Sequence, residues 1–150
     1  MWTDFILAAI HHVLVFSLFA ILVMEIVYAK PGIDAATLKR VGMVDGMYGV
    51  VSTLVLVVGF ARAIWGLKGW DYYEGNILFW VKIAMFVTVG LLSVPPTIAF
   101  LKWNKRVRAN PADLPSDAEV KSMRKFLHME TAVIILIPVV AAALAHGLTD

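Results

Sequence analysis

The chain has 150 residues, of which 61% are hydrophobic and 16% are charged, and its formal net charge is +2. This apolar content is well above the roughly 45–50% that is typical of soluble domains, so the composition indicates an integral membrane protein of one domain. Cysteine is absent, which excludes disulfides, thiolate metal sites and iron–sulfur clusters. The small net charge, without a basic motif interleaved with aromatics, excludes nucleic acid as an expected partner.

Four apolar segments are each long enough to cross the hydrocarbon core, which takes about 20 residues as a helix. They cover residues 5–29, 44–67, 77–101 and 126–148. Pro31 and Gly32 end the first segment, because proline and glycine together break helices. Ser116 and Glu119 form a capping-box pattern, which predicts that the fourth helix starts in water. The expected fold is all-α: a single domain, residues 1–150, forming an antiparallel bundle of four transmembrane helices.

Lysine and arginine are concentrated beside one face of the predicted bundle. The loops between segments one and two and between segments three and four contain Lys30, Lys39, Arg40, Lys102, Lys105, Arg106, Arg108, Lys121, Arg124 and Lys125. On the other face only Lys68 lies outside the spans, with Arg62 and Lys82 just inside them. The positive-inside rule therefore places both loops, including the polar loop 102–125, in the cytoplasm and both termini outside.

Ionisable and polar side chains within the spans form two layers, and such groups in a bundle face its interior or a cavity. The outer layer contains His11, His12, Arg62, Asn76, Lys82 and His146. At 100° per residue, His11 shares a face with Val15 and Leu18, whereas His12 is turned about 100° away. Gly59 lies on the same helical stripe as Arg62 and would leave room for something flat beside it. We expect the inward faces of the first three helices to oppose one another.

This outer layer suits a cofactor with an iron centre and acidic arms. Haem b meets that description, because an imidazole ligates iron and cations neutralise propionates. The prediction is that His11 is the axial ligand, that His12 flanks it, and that Arg62 and Lys82 bind the acidic groups. The alternative is structural: an intramembrane histidine hydrogen-bonds to backbone carbonyls, and long cations extend to the interface.

The cytoplasmic layer contains Glu25, Asp45, Tyr48 and Glu130. Three interpretations of the glutamates remain open: pairing with loop cations, staying neutral in the low dielectric, or relaying protons. Glu25 lies fourteen residues beyond His11, which is about 21 Å along a helix. We therefore expect this layer to be separate from the outer one. The aromatic residues around Trp70 are interpreted as an interfacial belt rather than a quinone site.

Short motifs in the second and third segments carry a resemblance to a known family. They lie at residues 48–51, 57–62, 72–73, 76–82 and 93–97. They resemble a family of small bacterial inner-membrane proteins, the domain-of-unknown-function family 2214, and the likeness covers nearly the whole chain. The resemblance implies a four-helix fold in the bacterial inner membrane, and it implies no assigned activity.

A more distant likeness concerns the first helix. Residues 9–11, followed by Ser17, Phe19 and Ala20, are similar to the histidine motif of the HemJ-type protoporphyrinogen oxidases, four-helix membrane proteins that bind haem b. Glu130 and Thr131 are similar to the acidic start of that family's last helix. Trp80 stands where the family has a histidine. The resemblance implies haem at His11, with either a different second ligand or five-coordinate iron.

The leading functional prediction is a haem-b-binding inner-membrane protein that acts in electron transfer or tetrapyrrole oxidation. If the protein is an enzyme, we expect a membrane oxidoreductase. The alternative is a cofactor-free accessory or scaffold subunit whose basic loop engages anionic lipid or a cytoplasmic partner. Besides the lipid bilayer, a second copy of the chain or a membrane redox partner is compatible with either prediction.

Overall fold

The computed structural model describes residues 2–148, which are helical except for short connections. The helices are α1 Trp2–Tyr28, α2 Ala35–Trp65, α3 Trp70–Glu74, α4 Ile77–Ala109 and α5 Asp117–Ala145. All but α3 are long and apolar enough to cross a membrane. The predicted all-α fold with four membrane helices is confirmed.

Contacts between the helix ends define the arrangement of the bundle. Three hydrogen bonds join Asn104 Nδ2 to Leu38 O (3.1 Å), Arg124 Nη1 to Ala29 O (2.7 Å) and Leu67 N to Asp4 Oδ1 (3.3 Å). Each bond connects the start of one long helix with the end of another, so the neighbouring helices run in opposite directions. We call the end with the connection 66–76 the terminal end, since residues 2 and 148, the first and last that the structure describes, lie there. The end with the connections 29–34 and 110–116 is the loop end.

Polar side chains cap three of the four long helices. Asp34 accepts a hydrogen bond from Thr37 N (2.7 Å), and the bonds from Thr37 hold the pKa of the Asp34 carboxyl below its usual value. Ser116 and Glu119 form the predicted capping box at the start of α5. Asn76 caps α4 by accepting a bond from the second helical amide. These caps satisfy backbone amides that a helix start leaves without partners, so they fix where the helices begin.

The long helices extend beyond several of the predicted spans, and one short helix is additional. α2 begins at residue 35 rather than 44, α4 continues through Pro95 and Pro96 to Ala109 rather than ending at 101, and the short α3 was not predicted. The predicted loop 102–125 is therefore helical apart from residues 110–116. The spans were chosen by apolar content, which marks the hydrocarbon crossing and not the water-exposed turns that continue a helix.

An ion-pair network fixes the short connection between α4 and α5. Arg106 contacts Asp113 at 2.7 Å and Glu119 at 2.9 Å. The guanidinium thereby joins the last turn of α4, the connection and the first turn of α5. Exposed pairs of this kind are individually weak, but one arginine sharing two carboxylates forms a small network that restricts the turn.

The core of the bundle is apolar between the two polar layers. Its central part, which we call the apolar plug, consists of Leu18, Leu22, Val55, Val89 and Ile134, each at most 6% exposed. Many large apolar side chains instead point outward, such as Phe16 at 71% and Leu91 at 68% exposure. An outward apolar surface of this extent is suited to acyl chains rather than water. The protein is a multi-pass membrane protein that contacts the lipid bilayer.

Candidate functional site

A cavity of about 70 Å³ lies between the four long helices on the terminal side of the plug. Its wall is apolar, with side chains such as Phe19, Phe86 and Pro138. Among the described residues, the only polar side chains on the wall are those of His11, from α1, and Lys82, from α4. We call this cavity the His11 pocket. The predicted opposition of the inward faces of the first three long helices is confirmed here.

The His11 imidazole packs directly on Gly59 of α2. A Cβ atom at Gly59 would lie 3.1 Å from His11 Cε1, so any larger residue here would push the ring back by a few tenths of an ångström. We expected Gly59 to make space for a flat cofactor, but the flat group beside it is the imidazole itself. His11 Nδ1 is buried and makes no hydrogen bond of ordinary geometry in the described part of the chain, although the ring lies close to the backbone of Val55. A buried ring nitrogen without a partner is uncommon and is available to a ligand.

A second cavity of about 250 Å³ lies above the His11 pocket at the terminal end, and we call it the vestibule. Asp4, Arg62, Lys68 and Lys82 line it, and Lys82 also lines the His11 pocket. Arg62 Nε is 3.9 Å from Asp4 Oδ1, and both side chains are partly exposed. An ion pair this long and solvated is weak, so the vestibule retains cations that can attract an anion.

Sequence reasoning missed Asp4 and Lys68. A usable signal existed for the first of them, because Asp4 precedes His11 by seven residues and therefore lies on the same helix face. Lys68 was counted only for orientation. It lies on the connection after α2, and its position beside the vestibule depends on how that connection folds back.

Three outer-layer residues line neither the His11 pocket nor the vestibule. His12 is exposed, and its Nδ1 donates to Ala8 O at 2.6 Å, although its ring contacts that of His11 edge-on at 6.4 Å between centroids. Asn76 is buried and serves as the α4 cap, accepting from Leu78 N at 2.9 Å. His146 is exposed at the end of α5. The structure thus brings together His11, Gly59 and Lys82, with Arg62 in the adjoining vestibule.

The second polar layer, which we call the acidic layer, lies on the loop-end side of the plug. It contains Glu25 of α1, Asp45 and Tyr48 of α2, and Glu130 of α5, which are 2%, 8%, 4% and 0% exposed. α4 contributes Thr97, whose hydroxyl donates to Asp45 Oδ1 at 2.7 Å. The four long helices therefore all supply polar groups to one buried level of the bundle.

No cation between residues 2 and 148 pairs with the carboxyl groups of the acidic layer. The ion pairs in that range are those of Arg62 and Arg106, described above. Arg124, the basic residue at the adjacent end of α5, donates instead to the carbonyls of Ile26 and Ala29 at 2.6 and 2.7 Å. Of the interpretations open at the sequence level, pairing of the glutamates with loop cations is not found among the described residues.

A third cavity, of about 490 Å³, is an open groove near the loop end between α4 and α5. Lys102, Trp103 and Glu119 are among the residues that line it. None of the three cavities is lined by a carboxyl group of the acidic layer. Within residues 2–148, no group of three or more histidine, aspartate or glutamate side chains is arranged to hold a metal ion.

Comparison with known proteins gives a family but no activity. A search of curated proteins and a search of solved structures both found no match. The likeness of the first helix to HemJ-type oxidases therefore stays a prediction. The family model of a predicted membrane protein (DUF2214) matches residues 3–149, which is nearly the whole chain. The chain therefore belongs to the DUF2214 family of membrane proteins, as its second- and third-helix motifs predict.

Proposed function

We propose that this protein binds haem b in the bacterial inner membrane and acts in electron transfer or tetrapyrrole oxidation, as an oxidoreductase if it is an enzyme. The observation that carries the proposal is the buried, unpartnered Nδ1 of His11 on the wall of an apolar pocket. An imidazole nitrogen in apolar surroundings is a common axial ligand of haem iron. Lys82 and Arg62, within electrostatic reach of His11, suit the acidic groups of such a cofactor.

The polar groups of the His11 pocket suit haem, but the free volume of the pocket is smaller than haem needs. Ligand pockets are typically about 300–1,000 Å³, well above the roughly 70 Å³ of the His11 pocket. Binding therefore requires the terminal halves of the helices to move apart, starting from the side chains that close the pocket. When bound, haem supplies one-electron redox chemistry at this level of the membrane.

The chain's own residues have distinct roles in this proposal. His11 supplies the ligand nitrogen, and Gly59 lets its ring lie flat against α2. Among the described residues, the ion pair of Arg62 is its long contact with Asp4, so an incoming carboxylate can replace that partner. Lys82 joins the pocket to the vestibule, where a charged group entering from the terminal end would be neutralised.

An absorption spectrum of the detergent-purified protein, expressed with added haem precursor, tests the proposal. We expect a Soret band in the wild type and loss of most of it in His11→Ala. The matched control is His12→Ala, which removes the neighbouring exposed imidazole and should keep the band. A colourless wild type, or equal loss in both variants, would contradict haem binding at His11.

A second candidate is a cofactor-free accessory subunit, and the small volume of the His11 pocket favours it. The loop end supplies its surface, with the exposed cations Lys39, Arg40, Lys102, Lys105, Arg108, Lys121 and Lys125. None of these forms an ion pair within residues 2–148. Juxtamembrane cations bind anionic lipid at about 1 kcal/mol each. A colourless wild type that retains anionic lipid, and loses it in a Lys121→Glu/Lys125→Glu variant, would support this candidate.

The same cations support the proposed orientation, with the loop end in the cytoplasm and both termini outside. Because the chain lacks cysteine, single introduced cysteines report accessibility without background. In intact cells, a membrane-impermeant thiol reagent should label Gly69→Cys at the terminal end and leave Ala112→Cys unlabelled. Labelling of Ala112→Cys alone would reverse the orientation.

A further inference from the structure

The acidic layer lies on the other side of the apolar plug from the His11 pocket, and none of its carboxyl groups lines that pocket. We propose that it is a proton-binding site, in which Glu25, Asp45 and Glu130 hold protons and exchange them with the aqueous phase at the loop end. This inference does not rest on the proposed function, since it concerns other residues on the other side of the apolar plug.

Three carboxyl groups are buried in the layer without a cation to neutralise their charge. Glu25, Asp45 and Glu130 are at most 8% exposed, and no cation within residues 2–148 pairs with them. Bringing three ionised carboxylates together in an apolar interior is very costly, because each loses hydration and repels the others. Bound protons remove both costs, and they are the counter-ions that the layer lacks.

Tyr48 adds a phenol to the carboxyl groups of the layer. Its side chain is 4% exposed, and its hydroxyl makes no hydrogen bond of ordinary geometry among the described residues, but it lies within reach of the Glu130 carboxyl and the Ser52 hydroxyl. Both oxygens of Glu130 and one of Glu25 are likewise unpartnered there. A phenol can donate to a carboxylate or accept from a carboxylic acid, so Tyr48 suits a group that changes between the two forms.

The surroundings of the carboxyl groups suit a proton better than a metal ion. None of the three cavities described above is lined by a carboxyl group of the layer. The acids are also not arranged as a metal-ligating group within residues 2–148. Thr97 gives Asp45 a hydroxyl donor, a contact that supports a carboxyl oxygen and that a metal ion would have to displace. A proton needs no volume of its own.

The groups around the layer determine where protons enter. Toward the terminal end the buried hydroxyl of Ser52 lies one turn from Tyr48, and the apolar plug beyond it has no hydrogen-bonding side chain, whereas Asp45, the most exposed acid, lies toward the loop end. The titratable groups that face the layer are Glu25 from α1, Asp45 and Tyr48 from α2, and Glu130 from α5, while α4 presents only the Thr97 hydroxyl. Nearby on α5, Arg124 is bound to backbone carbonyls and His128 is exposed.

Infrared difference spectroscopy of the full-length protein in lipid, recorded as the pH is changed, tests the proposal. Protonated carboxyl groups give a carbonyl-stretch band that carboxylates lack, and the band shifts in D₂O when the proton exchanges. We expect such a band in the wild type, decreasing as pH rises. Glu130→Gln should remove part of it, since an amide keeps the shape of the side chain without its proton. Glu74→Gln is the matched control, because Glu74 is exposed.

Several outcomes would overturn the proposal. The absence of a protonated-carboxyl band at every pH at which the protein is folded would show that the acids are ionised. A band that is unchanged by Glu130→Gln, Glu25→Gln and Asp45→Asn together would assign it elsewhere. Loss of the band on adding sodium at fixed pH would identify a metal-cation site instead. If Glu130→Gln does not fold, the other two single variants provide the same comparison. A colourless protein gives the same infrared result, so failure of haem binding is distinguishable.

Discussion

The His11 pocket and the acidic layer are two polar regions built by the same helices, and they differ in what surrounds the polar groups. The His11 pocket pairs a histidine and cations with free volume and an adjoining vestibule. The acidic layer places three carboxyl groups and a phenol against packed side chains, with no adjoining cavity among those described. A polar pocket that opens to a vestibule suits a molecular ligand, whereas buried carboxyl groups without a paired cation among the described residues suit the smallest ligand, a proton.

The difference also concerns how each region can change. A ligand entering the His11 pocket must move helices apart, because the volume is small and the wall is made of large side chains. A proton entering the acidic layer changes only charge and hydrogen bonding, so the packing can stay as it is. Substitutions in the apolar plug, in the acidic layer and in the His11 pocket test this difference.

Leu22→Ala should have the largest effect, because it breaks the plug that separates the regions. Leu22 is 1% exposed, and truncating a packed leucine costs about 2–5 kcal/mol of unfolding free energy. Val23→Ala is the matched control, since Val23 is 52% exposed toward lipid and should cost well under about 1.5 kcal/mol. Denaturing-detergent titration in mild-detergent micelles measures both. Equal costs would mean that the plug is not a tightly packed partition.

Thr97→Val should have an intermediate effect, confined to the acidic layer. Valine keeps the shape of threonine but removes the hydroxyl that donates to Asp45, and an unsatisfied buried acceptor costs about 1–3 kcal/mol. Thr88→Val is the control, because the exposed Thr88 hydroxyl bonds only to Ala84 O of its own helix at 2.9 Å. The same titration compares the two. If Thr88→Val lowered the unfolding free energy as much as Thr97→Val, the bond to Asp45 would contribute no more stability than a bond within one helix.

Gly59→Ala should have the smallest effect, and it concerns the pocket. Replacing a glycine inside a helix by alanine gains roughly 0.5–1 kcal/mol where space permits. A Cβ atom at Gly49 would have no neighbouring atom within 4 Å among the described residues, so Gly49→Ala should show this gain. At Gly59 the new methyl meets the His11 ring at 3.1 Å, which should cancel the gain. Equal gains, with an unchanged histidine NMR signal, would show that the ring is not held against Gly59.

Much of the architecture follows from the sequence, because apolar segments and helical periodicity act locally. They place His11, Gly59 and Lys82 on inward faces, and they turn His12 about 100° away from His11. The capping box at Ser116 is equally local and was predicted. These features depend on neighbours within a few residues along the chain.

The remaining features depend on tertiary packing. Whether the space at Gly59 is filled by a cofactor or by an imidazole depends on the separation of α1 and α2. The pairing of Arg62 with Asp4 joins residues far apart in the chain, and no local pattern predicts it. The absence of a cation beside Glu25 within residues 2–148 is also a result of tertiary packing, because Arg124 donates to backbone carbonyls and not to a carboxylate.

The apolar plug has an electrical consequence. A membrane voltage falls mainly across the part of a protein with the lowest polarisability, and here that part is the layer of aliphatic side chains between the two polar regions. A charge carried through the plug would cross most of that voltage, at about 2.3 kcal/mol per 100 mV. Charges moving within either region would cross little of it. The plug therefore separates a change of charge in one region electrically from the other region.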